Sequence, residues 1–330
     1  MTDSQHPFAT LTPDHVLDAV EALGHYSDGR ILALNSYENR VYSVGIEDST
    51  PVIVKFYRPN RWSEAQILEE HSFLQEQAEL EIPVVTPWKK EEQTLFQWAN
   101  PQRTFFYTLF PRQGGQAPSL DNLDNLEILG RFIGRIHSAG ASRLFQHRPS
   151  IDVESYAESS ALFLLENDFL PKSLRPAYEA IAQELMELLP QRYNTGFTPI
   201  RLHGDCHVGN VLWRDDCPHF VDFDDARNGP AIQDLWMLLS GERSERIAQL
   251  DAIIEGYEQF FRFDNRELSL IEPLRTMRLM HYAAWLARRW DDPAFPMTFT
   301  WFNTERYWSE HILELKEQRS ALDEPPLALF

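Results

Sequence analysis

The sequence predicts an α+β fold of two lobes: a small N-terminal antiparallel β-sheet carrying one long helix, then a larger, mostly helical C-terminal lobe. Three observations lead there. β-type runs concentrate before residue 111; a Pro- and Gly-rich break follows in Pro111-Arg112-Gln113-Gly114-Gly115-Gln116-Ala117-Pro118; and beyond it apolar residues recur near the helical period. The break divides the chain into an N-terminal lobe, residues 1–111, and a C-terminal lobe, residues 112–330.

Taken in order, Thr12-Pro13-Asp14 starts a helix, with threonine as N-cap and proline at the first helical position. Val16, Leu17, Val20 and Leu23 share one face, and Gly24 ends the run. Residues 31–34, 40–46 and 51–57 read as strands, the last two joined by Glu47-Asp48-Ser49-Thr50. Residues 62–77 form an amphipathic helix around Ile67, Phe73 and Leu74, and two more strands follow near 94–98 and 104–110. In the second half, Leu126, Leu129, Phe132, Ile133 and Ile136 mark a helix over 120–138. Further helices are expected near 153–167, 173–189, 232–239, 246–261 and 268–290, with a β-hairpin at 211–214 and 219–222 and a surface tail over 323–330.

A chain of 330 residues with 43% hydrophobic content can bury a large core. Its net charge of -20 argues against nucleic acid, whose binding starts with phosphate neutralisation, and against anionic membranes. No run approaches the ~20 apolar residues of a membrane helix. The N-terminal residues lack a basic segment followed by an apolar one, so no secretory signal is expected. Two cysteines, Cys206 and Cys217, provide no disulfide framework, which suits a reducing cytoplasm.

The most specific stretch is Leu202-His203-Gly204-Asp205-Cys206-His207-Val208-Gly209-Asn210, with Asp222 twelve residues beyond Asn210. An aspartate, an asparagine five residues later and a second aspartate after a hairpin are the set that phosphoryl transfer uses. Asp205 is the expected base that orients the attacking hydroxyl. Asn210 and Asp222 are the expected magnesium ligands, since magnesium takes hard oxygens and few of them from protein when phosphates supply the rest. Asp224 would share a strand face with Asp222 and ranks behind it as a ligand.

Lys55 ends the strand Val52-Ile53-Val54-Lys55, where a lysine can hold nucleotide phosphates and pair with a glutamate of the next helix. Glu70 is the expected partner, with Glu69 one residue away as the alternative. No glycine-rich phosphate loop is present; Asn35-Ser36-Tyr37-Glu38-Asn39-Arg40 stands in its place, and Ser36 is the expected nucleotide contact there. Zinc is the weaker reading of His203, Cys206, His207, Cys217 and His219, whose spacing matches no common pair-and-pair arrangement. Asp234, at the start of a helix, is expected to bond backbone amides of the catalytic loop. Tryptophans such as Trp285 and Trp290 are expected in the core or cleft walls. Arg278, Arg288 and Arg289 suit either an anionic substrate group or surface ion pairs.

The order Lys55, Glu70, HGDCHVGN and VDFDD resembles the aminoglycoside phosphotransferase and choline kinase group, which has the protein-kinase-like fold. Within that group LNSYENRVY, VKFYRPNRW, ILEEH, RLHGDCHVGN, DDARNGPAIQDLWMLL, IEPLRTMRLMHY and DPAFP resemble bacterial stress-response serine/threonine protein kinases, from about residue 11 to about residue 327. The resemblance implies that Asp205 is the proton acceptor and that Asn210 and Asp222 bind magnesium. It also makes Asp222 an active-site residue and places Ser36 against ATP. The hairpin turn Asp215-Asp216-Cys217-Pro218 is one residue longer than the family pattern, and VDFDD replaces the usual DFG segment.

The leading expectation is a cytoplasmic, monomeric kinase that uses ATP and Mg2+ to phosphorylate serine or threonine on proteins, itself included. A small-molecule hydroxyl kinase shares the same core, and an acidic acceptor cleft favouring cations would mark it. A non-catalytic nucleotide-binding regulator would have lost Asp205, Asn210 or Asp222, and all three are present.

Overall fold

The computed structural model describes residues 6–194 and 196–329. Residues 1–5, at the N-terminus read for a leader, and Phe330, at the end of the expected tail, lie outside the described residues. The order in the N-terminal part is α1 (Pro13–Glu21), β1 (Ser27–Ala33), β2 (Arg40–Ile46), β3 (Val52–Phe56), α2 (Glu64–Glu79), β4 (Phe96–Ala99) and β5 (Thr104–Pro111). Then come α3 (Leu123–Gly140), α4 (Ser159–Glu166), α5 (Arg175–Arg192), β6 (Ile200–Leu202), β7 (Val211–Arg214), β8 (Cys217–Phe220) and β9 (Arg227–Gly229). The chain finishes with α6 (Gln233–Trp236), α7 (Arg243–Tyr257), α8 (Ile271–Arg288), α9 (Ala294–Thr298) and α10 (Glu305–Ala321). This is the α+β, protein-kinase-like class expected from the sequence.

Two compact units emerge. The first comprises Met1–Ser119, Phe145–Arg148 and His207–Ala226; the second comprises Leu120–Leu144, Pro149–Cys206 and Arg227–Phe330. The composition break after Pro111 marks the end of the sheet, but packing assigns residues 207–226 to the first unit. The reason is local pairing: Trp213 of β7 bridges Gln116, and Phe220 of β8 bridges Val84.

In the first unit the antiparallel sheet has the order β1-β2-β3-β5-β4. Alternation along β3 sorts its side chains between two faces. Val54 and Phe56 join a core with Val16, Ala19 and Val20 of α1 and with Phe105, Tyr107 and Leu109 of β5. Ile53 and Lys55 point the other way, into a cavity. Thr12 and His15 close a capping box at the start of α1, and Ser63 and Gln66 do the same for α2. α2 buries Ile67, Phe73 and Leu74 as its spacing predicts, and Phe73 meets Phe145 and Phe223 edge-on. The β7–β8 turn is tighter than the sequence suggested. Asp215 and Asp216 both adopt left-handed φ values of 52° and 56°, so Arg214 already pairs with Cys217. This is the two-residue turn that matches strand twist, and aspartate tolerates it.

In the second unit α3 lies closely along α7. Gly130 and Gly134 of α3 abut the Ile253 and Tyr257 carbonyls, and Gly256 abuts the Glu127 carbonyl. α10 has no counterpart in the sequence reading, because charged residues mask its buried stripe of Trp308, Ile312 and Leu315. Trp308 is fully buried and donates its indole N–H to Asn303 at 3.2 Å. α6 is shorter than the helix expected over 232–239. Among the described residues no helix is long and apolar enough to cross a membrane.

Gly130→Ala should destabilise the protein by about 1–3 kcal/mol, because the new methyl collides with the Ile253 carbonyl oxygen. Urea denaturation at neutral pH measures this. A neutral or stabilising effect, as helix propensity alone would give, would contradict the close α3–α7 packing.

Candidate active site

A cavity of about 470 Å³ opens in the first unit, within the size range of small-ligand sites. Its apolar walls include Leu32, Val41, Ile53, Phe110, Leu212 and Val221; Ser36, Lys55, Glu70, Asn210 and Asp222 are among its polar groups, with Arg112 and Gln113 beside them. Five side chains singled out from the sequence thus line one space.

Lys55, only 5% exposed, is the centre of this polar set. Its Nζ lies 2.9 Å from Asp224, 3.2 Å from Asp222 and 3.8 Å from Glu70. Burial pushes the ammonium pKa down, but Asp224, Glu70 and Asp222 outweigh it and hold the pKa well above the ordinary lysine value. The choice between the two glutamates is resolved by backbone contacts. Glu69 accepts the amides of Gln146, His147 and Arg148 at 2.6, 2.8 and 2.8 Å, while Glu70 turns inward. Glu70 is also bonded by Arg148 Nη2 at 2.8 Å. The same guanidinium donates to the carbonyls of Gln66, Asp224 and Ala226. Arg148 therefore ties α2 to residues 224–226, a role without periodic signal in the sequence.

Asp224 does not act as the strand-mate of Asp222. Residues 223–225 form a 3-10 turn, preceded by Asp222 at φ 60°, ψ 60°. The turn buries Asp224 against Lys55 and Arg61, and Arg61 also reaches Asp225 at 2.6 Å. Burial alone would push the Asp224 carboxyl up; Arg61 first, then Lys55, outweigh it and hold the pKa down to about 2. Asp224 is committed to cations, whereas the Asp222 side chain is 52% exposed. A non-glycine residue held in the left-handed region next to a cavity is a mark of functional sites.

The loop replacing the phosphate glycines is braced by Arg58. Its backbone N–H donates to Asn39 Oδ1, and its Nε to the Glu38 carbonyl, each at 3.0 Å. Arg58 thus braces residues 38 and 39 of the loop that also carries Ser36. Asn210 and Asp222 offer one amide oxygen and one carboxylate to the same cavity as Lys55. These hard oxygens fit magnesium bound largely through phosphate and water.

The second unit holds Asp205 and its supports. Asp234 accepts the amides of His203 at 2.8 Å and Gly204 at 2.9 Å, and bonds His137 Nε2 at 3.0 Å. His137 Nδ1 in turn meets the Tyr257 hydroxyl at 2.9 Å. Gln233 Nε2 donates to the Gly204 carbonyl at 2.9 Å, and Gly204 takes φ 85°, a turn suited to glycine. Asp234 thus has the supporting role expected of it; the buried His137–Tyr257 extension was not foreseen. Asp205 is half-buried and pairs with Arg278 at 2.7 Å. Burial, then Asp234 and Asp205, push the Cys206 thiol well above its ordinary pKa, which disfavours the thiolate.

Asp224→Asn should cost about 3–5 kcal/mol at pH 7, because it leaves buried Lys55 and Arg61 undercompensated. The Asp224 pKa is depressed from 3.8 to about 2, so its contribution is complete above the unfolded value and is lost as pH falls through about 2. Urea melts of wild type and variant should therefore draw closer in strong acid; a constant gap would contradict the ion-pair account.

Residues 30–271 match the phosphotransferase enzyme family. Stress response kinase A of Escherichia coli strain K12 is 46% identical over 329 residues, covering 100% of this chain and 99% of that protein. Serine/threonine protein kinase RdoA of Salmonella typhimurium strain LT2 is 45% identical, with the same coverage. Among solved structures, amicoumacin kinase hAmiN in complex with AMP-PNP, Ca2+ and Ami superposes with a TM-score of 0.73 at 20% identity, covering 96% of this chain and 95% of that one. A microcompartment-associated aminopropanol kinase superposes at 0.69 and 17% identity, covering 92% and 95%. The chain belongs to the phosphotransferase enzyme family.

Proposed function

We propose that this protein is an ATP- and Mg2+-dependent serine/threonine protein kinase that also phosphorylates itself, acting in the cytoplasm as a monomer in a bacterial stress response. The observation that carries the reading is the cavity into which Lys55, Asn210 and Asp222 converge between apolar walls. Such walls suit a purine, and the polar end suits its phosphates. The names of the relatives at 45–46% identity over the full chain supply the acceptor class and the stress connection.

In this mechanism Lys55 Nζ binds nucleotide phosphate oxygens, and Glu70, held by Arg148, keeps the lysine aimed. Ser36 contacts the phosphates from its braced loop. Asn210 and Asp222 would hold magnesium, which when bound neutralises phosphate charge. Asp205 accepts a hydrogen bond from the acceptor hydroxyl and orients its oxygen for in-line attack on the γ-phosphorus. The new O–P bond forms as the bond to the β-phosphate oxygen breaks. ADP leaves with that electron pair, and the hydroxyl proton passes to the Asp205 carboxylate. Asp234 keeps the backbone at His203 and Gly204 rigid, which limits Asp205 to useful orientations.

Asp205→Ala should lower transfer by about 10²–10⁴-fold while nucleotide affinity changes little. Labelled ATP with magnesium, supplied to the protein alone and beside a panel of small alcohols and amino sugars, reads this directly. Magnesium-dependent label on the protein itself supports the proposal; turnover tied to one small molecule overturns it, and unaltered turnover in the variant removes Asp205 from the mechanism. Asp222→Ala should abolish the magnesium dependence of nucleotide binding in calorimetry. An unchanged dependence would reassign the metal ligand.

A further inference from the structure

Within the second unit, α8 presents Arg275, Arg278, Leu279 and Tyr282 at helical spacings that share one face. With Trp236 and Arg246 they line a cavity of about 630 Å³. Its lining includes Arg246, Arg275 and Arg278 and no acidic residue, in a chain whose net charge is -20. Counter-charge comes from Glu272, from Asp205 and from Glu245, whose carboxylate lies beside the lining residue Gly241. Glu272 serves both Arg275, at 3.7 Å, and Arg246, at 3.8 Å, distances too long for strong hydrogen bonds. Arg246 Nε is buried with no hydrogen-bond partner among the described residues. The Arg275 guanidinium lies over the Trp236 ring, its carbon 5.4 Å from the ring centroid. Arg278, 40% exposed, belongs to this cavity and also pairs with Asp205 at 2.7 Å.

A cation-binding acceptor site would line this space with carboxylates, because uncompensated like charge repels the ligand. Clustered guanidinium forks instead match carboxylate or phosphate oxygens. We propose that this arginine pocket selects acceptor segments carrying anionic side chains beside the phosphorylated serine or threonine, with Arg278 as the positioning residue that couples recognition to Asp205. The inference rests on the protein-kinase reading and adds the substrate class. Before the acceptor binds, Arg278 covers the Asp205 carboxylate. An aspartate, glutamate or phosphoserine of the acceptor takes over the guanidinium, and the carboxylate is released to the hydroxyl. An extended chain advances about 3.3 Å per residue, so the anionic side chain belongs about one to three positions from the acceptor.

The test uses the full-length protein and serine peptides identical except for flanking aspartate, phosphoserine, asparagine or lysine. The aspartate and phosphoserine peptides should exceed the lysine peptide by about tenfold or more in kcat/KM, chiefly through KM. A clear advantage of phosphoserine over aspartate marks phosphate as the preferred occupant; parity marks carboxylate. Arg246→Gln with Arg275→Gln should shrink the charge preference to about twofold, and Arg246→Glu with Arg275→Glu should turn it toward lysine, an outcome only a folded enzyme can give. Arg278→Gln should remove the preference rather than slow every peptide equally, which a merely structural role would do. Equal or better use of the lysine peptide, or a preference that survives the variants, overturns this inference and leaves the kinase reading standing. So does label on the protein itself with none in any peptide. Label confined to a small molecule overturns both.

Discussion

A lysine ammonium buried beside three carboxylates constrains much of the first unit. Removing such a charge from water costs several kcal/mol unless partners surround it. Lys55 can occupy its place on β3 because Asp224 lies at 2.9 Å and Asp222 at 3.2 Å. Asp224 is in turn kept ionised by Arg61, and Glu70 is kept inside by Arg148. The network assigns two aspartates of one short segment to different work. Asp224 neutralises buried cations, and Asp222, half outside, is available to the cavity. That division follows from the tight turn at 223–225, which takes the two carboxylates off a common strand face.

The second unit solves a different problem, the rigidity of a short loop. The buried backbone amides before Asp205 need partners if that side chain is to keep one orientation. Asp234 supplies both oxygens to consecutive amides, and the His137–Tyr257 pair holds Asp234 from behind. Gly204 is the residue that lets the chain turn there. The pairing of Arg278 with Asp205 at 2.7 Å makes this arginine a natural connection between the charge of an acceptor and the loop.

Local chemistry made much of this legible in the sequence. The run Val52-Ile53-Val54-Lys55 marks a strand that ends on a lysine, and Thr12 before Pro13 marks the capped start of α1. The spacing of Asp205, Asn210 and Asp222 singled out the loop. What escaped were partners set by packing across long sequence separations. Arg148 lies 78 residues from Glu70, and His137 lies 97 residues from Asp234. Neither belongs to a motif, and no periodicity points at them. α10 escaped because Glu and Arg residues surround its buried stripe, and the strand face expected to carry Asp222 and Asp224 together is replaced by a 3-10 turn.

Lys55, Asn210 and Asp222 line one cavity and are proposed to form the phosphate and metal end of a nucleotide site. A crystal structure with a non-hydrolysable ATP analogue and manganese, located by its anomalous signal, tests it most directly. The account predicts the metal at about 2 Å from Asn210 Oδ1 and an Asp222 carboxylate oxygen, with Lys55 Nζ on a phosphate oxygen. Manganese bound away from both side chains, or an analogue lodged outside the cavity, would contradict it.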